Sequence, residues 1–105
     1  MGMVSYQPLI ELTARRELHT LPVEERRELR AVLKDVAATE QPSHHAKAKQ
    51  LQGQPGMFRV RTGNCRAVCT LRKPALLILK CGKRKEVYDD LDEIHTRAEG
   101  AAVEA

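Results

Sequence analysis

Four arginines and a tyrosine are the residues of this chain best suited to chemistry: Arg59, Arg61, Arg66, Arg84 and Tyr88. A guanidinium carries a permanent charge and a rigid fork of N–H donors, the geometry that grips phosphate oxygens in pairs. A phenol near such cations can act as a proton acceptor, or stack on a base. The five stand in or beside a stretch of unusual charge: between Gln41 and Lys85 there are eleven Lys and Arg and not one Asp or Glu. Surfaces that serve only solubility mix both signs. An unrelieved block of cations therefore points to a polyanion, with nucleic acid the first candidate. Lys47, Lys49, Lys83 and Lys85 extend the block and are expected to touch the polyanion's phosphates without taking part in chemistry.

The rest of the charge is divided along the chain. Residues 1–88 hold 17 basic and 8 acidic groups, and residues 89–105 hold 1 and 6. At 105 residues there is room for one domain, read here as residues 1–105 with 89–105 an acidic C-terminal helix or tail. With three aromatics, Tyr6, Phe58 and Tyr88, the core must be aliphatic. The longest apolar run, Ala75–Leu79, is too short to cross a bilayer, and no signal-peptide pattern opens the chain, so a cytoplasmic protein is expected. Cys65, Cys69 and Cys81 are an odd number without a Cys-x-x-Cys pair, which fits small hydrophobes better than a disulfide framework or a zinc site. His44 and His45 precede Lys47 and read as loop histidines on a basic surface.

Periodicity supplies the elements that must position the arginines. Val4–Ile10 is weakly strand-like, and Pro8 confines it to an edge or to its own end. Thr13 is placed to cap a short helix through Ala14 and Leu18 to about Thr20. Pro22 opens a second helix whose Leu29, Val32, Leu33, Val36 and Ala37 form one apolar stripe. After Gly56 the period changes to two. Met57–Arg61 puts Phe58 and Val60 on one face and Arg59 and Arg61 on the other. Gly63-Asn64 turns the chain into Cys65–Leu71, where Arg66 can converge on the first pair. Lys73-Pro74 turns it again into Ala75–Cys81, apolar as a central strand would be. Asp89–Ala98 predicts a short final helix, and Glu99–Ala105 a frayed end. The sum is an α+β domain. An N-terminal helical hairpin packs on one face of a mainly antiparallel sheet of three or four strands, and the other face is open.

In this order, Leu21-Pro22 and its helix, "AKAKQLQG", "FRVRTGNCRAVC" and "LLILKCGKRKEVY" resemble the RelE/ParE toxin superfamily over roughly Val4 to Asp90. The resemblance implies a small RelE-like fold and, on its RelE-like side, the toxin of a type II toxin–antitoxin system. Such a toxin is an endoribonuclease, an mRNA interferase that cuts messenger RNA in the ribosomal A site and so inhibits translation. Arg59 and Arg61 fall on the family's two basic positions of the first meander strand, where its best-known site has lysines. Arg66 falls on the phosphate-binding arginine, and Arg84 and Tyr88 on the C-terminal arginine and tyrosine. The implied chemistry uses no metal or other cofactor, and the implied partners are messenger RNA, the ribosome and a cognate antitoxin. The ParE-like side would instead give a gyrase poison with the arginines as contacts only. A non-catalytic RNA- or ribosome-binding module is the third reading.

Overall fold

The computed structural model describes residues 6–83 and 91–104. Strand β1 (Gln7–Ile10) leads into helices α1 (Leu12–Thr20) and α2 (Val23–Ala37). A short 3-10 turn, Pro42–His44, follows, then β2 (Ala48–Gln50), β3 (Met57–Thr62), β4 (Cys65–Arg72), β5 (Ala75–Lys83) and α3 (Leu91–Glu104). The five strands form one sheet in the order β1-β5-β4-β3-β2, antiparallel except for β1, which runs parallel to β5. The expected α+β fold is present, with a strand more than the sequence predicts. The extra one, β2, lies in the polar stretch before Gly53. Three residues with mostly exposed side chains give no alternation to read, and β2 exists because β3 offers it a backbone edge.

Each helix boundary has a local cause. Glu11, not Thr13, caps α1: its carboxylate accepts the Ala14 N–H at 3.0 Å while its own N–H donates to the Ile78 carbonyl at 2.9 Å. The end of β1 and the start of α1 are thus one joint, and the helix begins earlier than the capping rule for Thr predicts. Pro22 stands immediately before α2, and Glu24 and Glu25 occupy its first turn, where the helix dipole favours negative charge.

The sheet has an apolar layer on each face. On one, α1 and α2 bury Ala14, Leu18, Leu29, Leu33, Val36 and Ala37 against Phe58, Val60, Ala67, Cys69, Leu76, Ile78 and Cys81. On the other, Ile94 and Ala98 of α3 pack on Met57, Val68, Leu77 and Leu79. The second face is therefore not fully open, as the sequence suggests, because α3 covers its apolar part. The C-terminal helix also runs on to Glu104, past the expected end at Ala98.

An ion pair holds α3 in place. Arg97, 8% exposed, places its two Nη atoms on the two carboxylate oxygens of Glu17 in α1, at 3.0 and 3.1 Å. It also donates to the Leu79 carbonyl at 2.9 Å and to Glu93. Glu17 in turn accepts the Cys81 N–H at 3.1 Å. Strand β1 pairs with β5 only as far as Ile78, so the pair satisfies the β5 edge where β1 has ended. Removing one partner of a bidentate, mostly buried pair leaves the other charge and the strand edge uncompensated. Arg97→Met is expected to cost about 3 kcal/mol in urea unfolding and to speed amide exchange at Cys81, whereas a variant as stable as the parent would show that the pair does not hold α3.

All three cysteines are reduced and buried. Burial, with Glu17 adding to it, pushes the Cys81 thiol from 9.0 up to about 12, and burial raises Cys69 well above its ordinary value. Unfolded thiols ionise near 9 while the folded ones stay neutral, so the unfolded state binds fewer protons above that pH. Stability should be intact below pH 9 and fall as the pH rises from about 9 towards 12. Cys81→Ala should flatten part of that fall in urea titrations at fixed pH, and an equal slope in the variant would rule out Cys81 as its source.

Candidate nucleic-acid interface

Strand register decides which cations meet. Arg61 lies directly opposite Arg66, and Arg59 opposite Val68, in the antiparallel pair of β3 and β4. On the far side Lys49 stands opposite Arg59, and the Lys47 carbonyl accepts the Arg61 N–H at 3.0 Å. Since paired residues share a face, one row across β2, β3 and β4 reads Lys49, Arg59, Val68 and the next reads Lys47, Arg61, Arg66. Val68 belongs to the apolar patch under α3, so the basic rows are the continuation of that face beyond the helix. The three meander arginines predicted from the sequence come together there.

The anchoring of these groups differs along the rows. Arg66 is 8% exposed, and its Nη1 donates to the carbonyls of Cys65 at 2.9 Å and Gly63 at 3.3 Å. The β3–β4 turn, with Gly63 at φ +33°, thus fixes a guanidinium at one end of the face. Arg59 is half-buried, and Arg61, Lys47 and Lys49 are exposed. His45 positions the entry to β2: its Nδ1 accepts the Lys47 N–H at 2.9 Å and its Nε2 donates to Asp35 at 2.6 Å. The two bonds define the ring tautomer and tie the loop to α2, so His45 orients a basic residue rather than reaching for a phosphate itself.

Lys83 behaves differently. It follows Cys81 by two on β5, the helix side of the sheet, and its Nζ lies 3.9 Å from Glu25 of α2. That places it apart from the basic rows. Arg84, Lys85 and Tyr88 fall outside the described residues.

One cation on this face is not predicted from the alternation. Val68 pairs with Lys80 and Cys69 with Ile78, so Leu79 is an extra residue, a β-bulge in β5. Strict period two along β5 would send Lys80 with Leu76 and Ile78 into the core under α1 and α2. The bulge instead turns Lys80 to the face of Val68 and sends Cys81 to the core. The signal in the sequence is a single lysine in an otherwise apolar strand, and periodicity alone cannot say which way it points. Gly82, opposite Arg66, leaves the next position on this face without a side chain.

Gathering the cations has a cost. Like charges directly opposite each other on a sheet oppose its pairing by a few tenths to about 1 kcal/mol, and Arg61 against Arg66 is such a pair. An anion seated between them would turn that repulsion into attraction. Arg61→Gln is therefore expected to raise unfolding stability by about 0.5 kcal/mol at low salt, with the gain lost in high salt as screening shortens; a destabilised variant would mean that Arg61 supports the fold.

No family model matches the sequence, and no curated protein matches it. Solved structures do. The toxin–antitoxin complex RelBE2 from Mycobacterium tuberculosis contains a chain 26% identical, with a TM-score of 0.67, covering 81% of this chain and 98% of that one. A double arginine-to-alanine variant of the Escherichia coli toxin RelE in the free state is 21% identical, with a TM-score of 0.65 over 92% and 97%. The RelB–RelE antitoxin–toxin complex of Methanococcus jannaschii is 18% identical at 0.64, over 77% and 95%. The latter two likenesses are of fold, and the first adds a quarter of the sequence. Taken with the meander that carries the arginines, they make this chain a member of the RelE-like toxin superfamily.

Proposed function

We propose that this protein is the toxin of a type II toxin–antitoxin system and that it cleaves messenger RNA on the ribosome, in the cytoplasm. The observation that carries the reading is the register of β2, β3 and β4, which sets Arg59, Arg61 and Arg66 on one face with Lys47 and Lys49 beside them. The fold it shares with RelE toxins supports it further. Among the described residues no helix is long and apolar enough to cross a membrane.

In the proposed reaction the ribose 2′-oxygen attacks the adjacent phosphorus, the bond to the 5′-oxygen breaks, and a 2′,3′-cyclic phosphate and a free 5′-hydroxyl remain. The 2′-OH proton must leave, charge on the phosphorane must be stabilised, and the departing oxygen must gain a proton. Arg59, Arg61 and Arg66 supply the stabilisation, because prearranged cations act where charge develops. Arginine does not deprotonate below about pH 12, so none of them is the base. We assign that role, or a stacking role that orients the nucleotide, to Tyr88, and charge or a proton for the leaving oxygen to Arg84. The ribosome would hold the message in reactive geometry, which makes the isolated protein a slow enzyme.

The acidic partner of such a face is an antitoxin. The Mycobacterium tuberculosis and Methanococcus jannaschii structures are complexes of this kind. For this chain we propose a cognate antitoxin that covers the basic rows with an acidic or amphipathic segment, folding as it binds.

A reconstituted translation reaction with a defined codon in the A site tests the reading. Cleavage leaving a cyclic phosphate is expected, slowed about a hundredfold or more by Arg66→Ala, as for loss of one prearranged donor. Intact message in the presence of folded protein would contradict it, and trapped cleaved complexes of DNA gyrase would favour a ParE-like target instead.

A further inference from the structure

We infer that Lys80 is a phosphate-binding residue of this face, a contact to the RNA backbone that completes the row begun by Lys49 and Arg59. The inference rests on the RNA-binding reading above and adds to it a residue from the third meander strand. The first observation is the bulge at Leu79, which pairs Lys80 with Val68 and so brings it to the face of the arginines. Bulges re-aim side chains, and they gather beside functional sites. A regular strand would have put this lysine into the aliphatic core, where no sequence could keep a charge cheaply.

The second observation is its burial. Lys80 is 9% exposed, yet among the described residues no carboxylate pairs with it and no hydrogen bond falls to its ammonium. Among the described residues, its neighbours in the sheet on this face are apolar or basic. Val68 lies opposite, Leu79 beside it is covered by α3, Arg66 stands two pairs along the ladder on the same face, and Arg59 lies across Val68. Like charges gathered on one face repel one another, and an external anion offsets that repulsion.

The third observation is the register. Gly82 follows Lys80 on the same face, opposite Arg66, and carries no side chain to separate the two cations. Lys80 and Arg66, on neighbouring strands, are then placed to share one phosphate. The ligand class is therefore a phosphodiester of single-stranded RNA, seated between β4 and β5 and continuing towards Arg59 and Lys49.

The test uses the full chain and a short, fully 2′-O-methylated RNA strand, which can bind but cannot be cut. For Lys80→Met, affinity at low salt should fall about five- to tenfold, and the slope of log K against log salt should become shallower by about 0.7, the signature of one lost phosphate contact on a single strand. Thermal stability of this variant should equal or exceed the parent's, since one cation has been taken out of a like-charged cluster. Lys80→Arg should keep most of the affinity. Unchanged affinity and slope in Lys80→Met would overturn the assignment, as would a lowered Tm with binding lost in both variants, which would mark a structural role. Absence of ribosomal cleavage by the parent protein would remove the nuclease reading while this comparison still stood. Cleavage by the parent combined with full binding by Lys80→Met would remove only the role of Lys80.

Discussion

Mutual repulsion among cations on one side of a small sheet is the constraint around which this protein is built. Lys47, Lys49, Arg59, Arg61, Arg66 and Lys80 share that side, with Arg61 set directly against Arg66. Nothing in the folding of a 105-residue domain asks for such a cluster, and its stability must come from elsewhere. It comes from the opposite side, where α1 and α2 close a continuous aliphatic layer over Phe58, Val60, Ala67 and Ile78. The alternation of β3 links the two: Phe58 and Val60 go into the core while Arg59 and Arg61 go to the other face.

The C-terminal helix belongs to the same balance. It covers the apolar half of the basic face through Ile94 and Ala98 and is anchored by the Arg97–Glu17 pair. That pair also completes the hydrogen bonding of β5 beyond the end of β1. Without α3, Met57, Val68, Leu77 and Leu79 would be an exposed patch beside the cations. With it, the apolar end of the face is covered and the cations lie beyond it.

Much of this is legible in the sequence because it depends on local periodicity. The stripe of α2, the alternation Phe58–Arg61 and the turns at Gly63-Asn64 and Lys73-Pro74 each follow from side-chain pattern or turn chemistry, and each is found where expected. What the pattern misses depends on contacts distant in sequence. Strand β2 forms because β3 presents an edge to it. Glu11 displaces Thr13 as a cap because β1 hands the chain directly to α1 beside Ile78. The bulge that re-aims Lys80 is a mismatch of lengths between two strands, which neither strand shows alone. Lys83 reads as one more cation of the block until Glu25, 3.9 Å away on α2, places it beside the helix.

The most direct measurement follows the arginine side-chain N–H resonances of the protein during titration with an uncleavable RNA strand. The account predicts that the Arg59, Arg61 and Arg66 signals shift together and saturably, while those of Arg27 and Arg30, exposed on the outer side of α2, stay in place. Shifts confined to the α2 arginines, with the meander arginines unmoved, would contradict it.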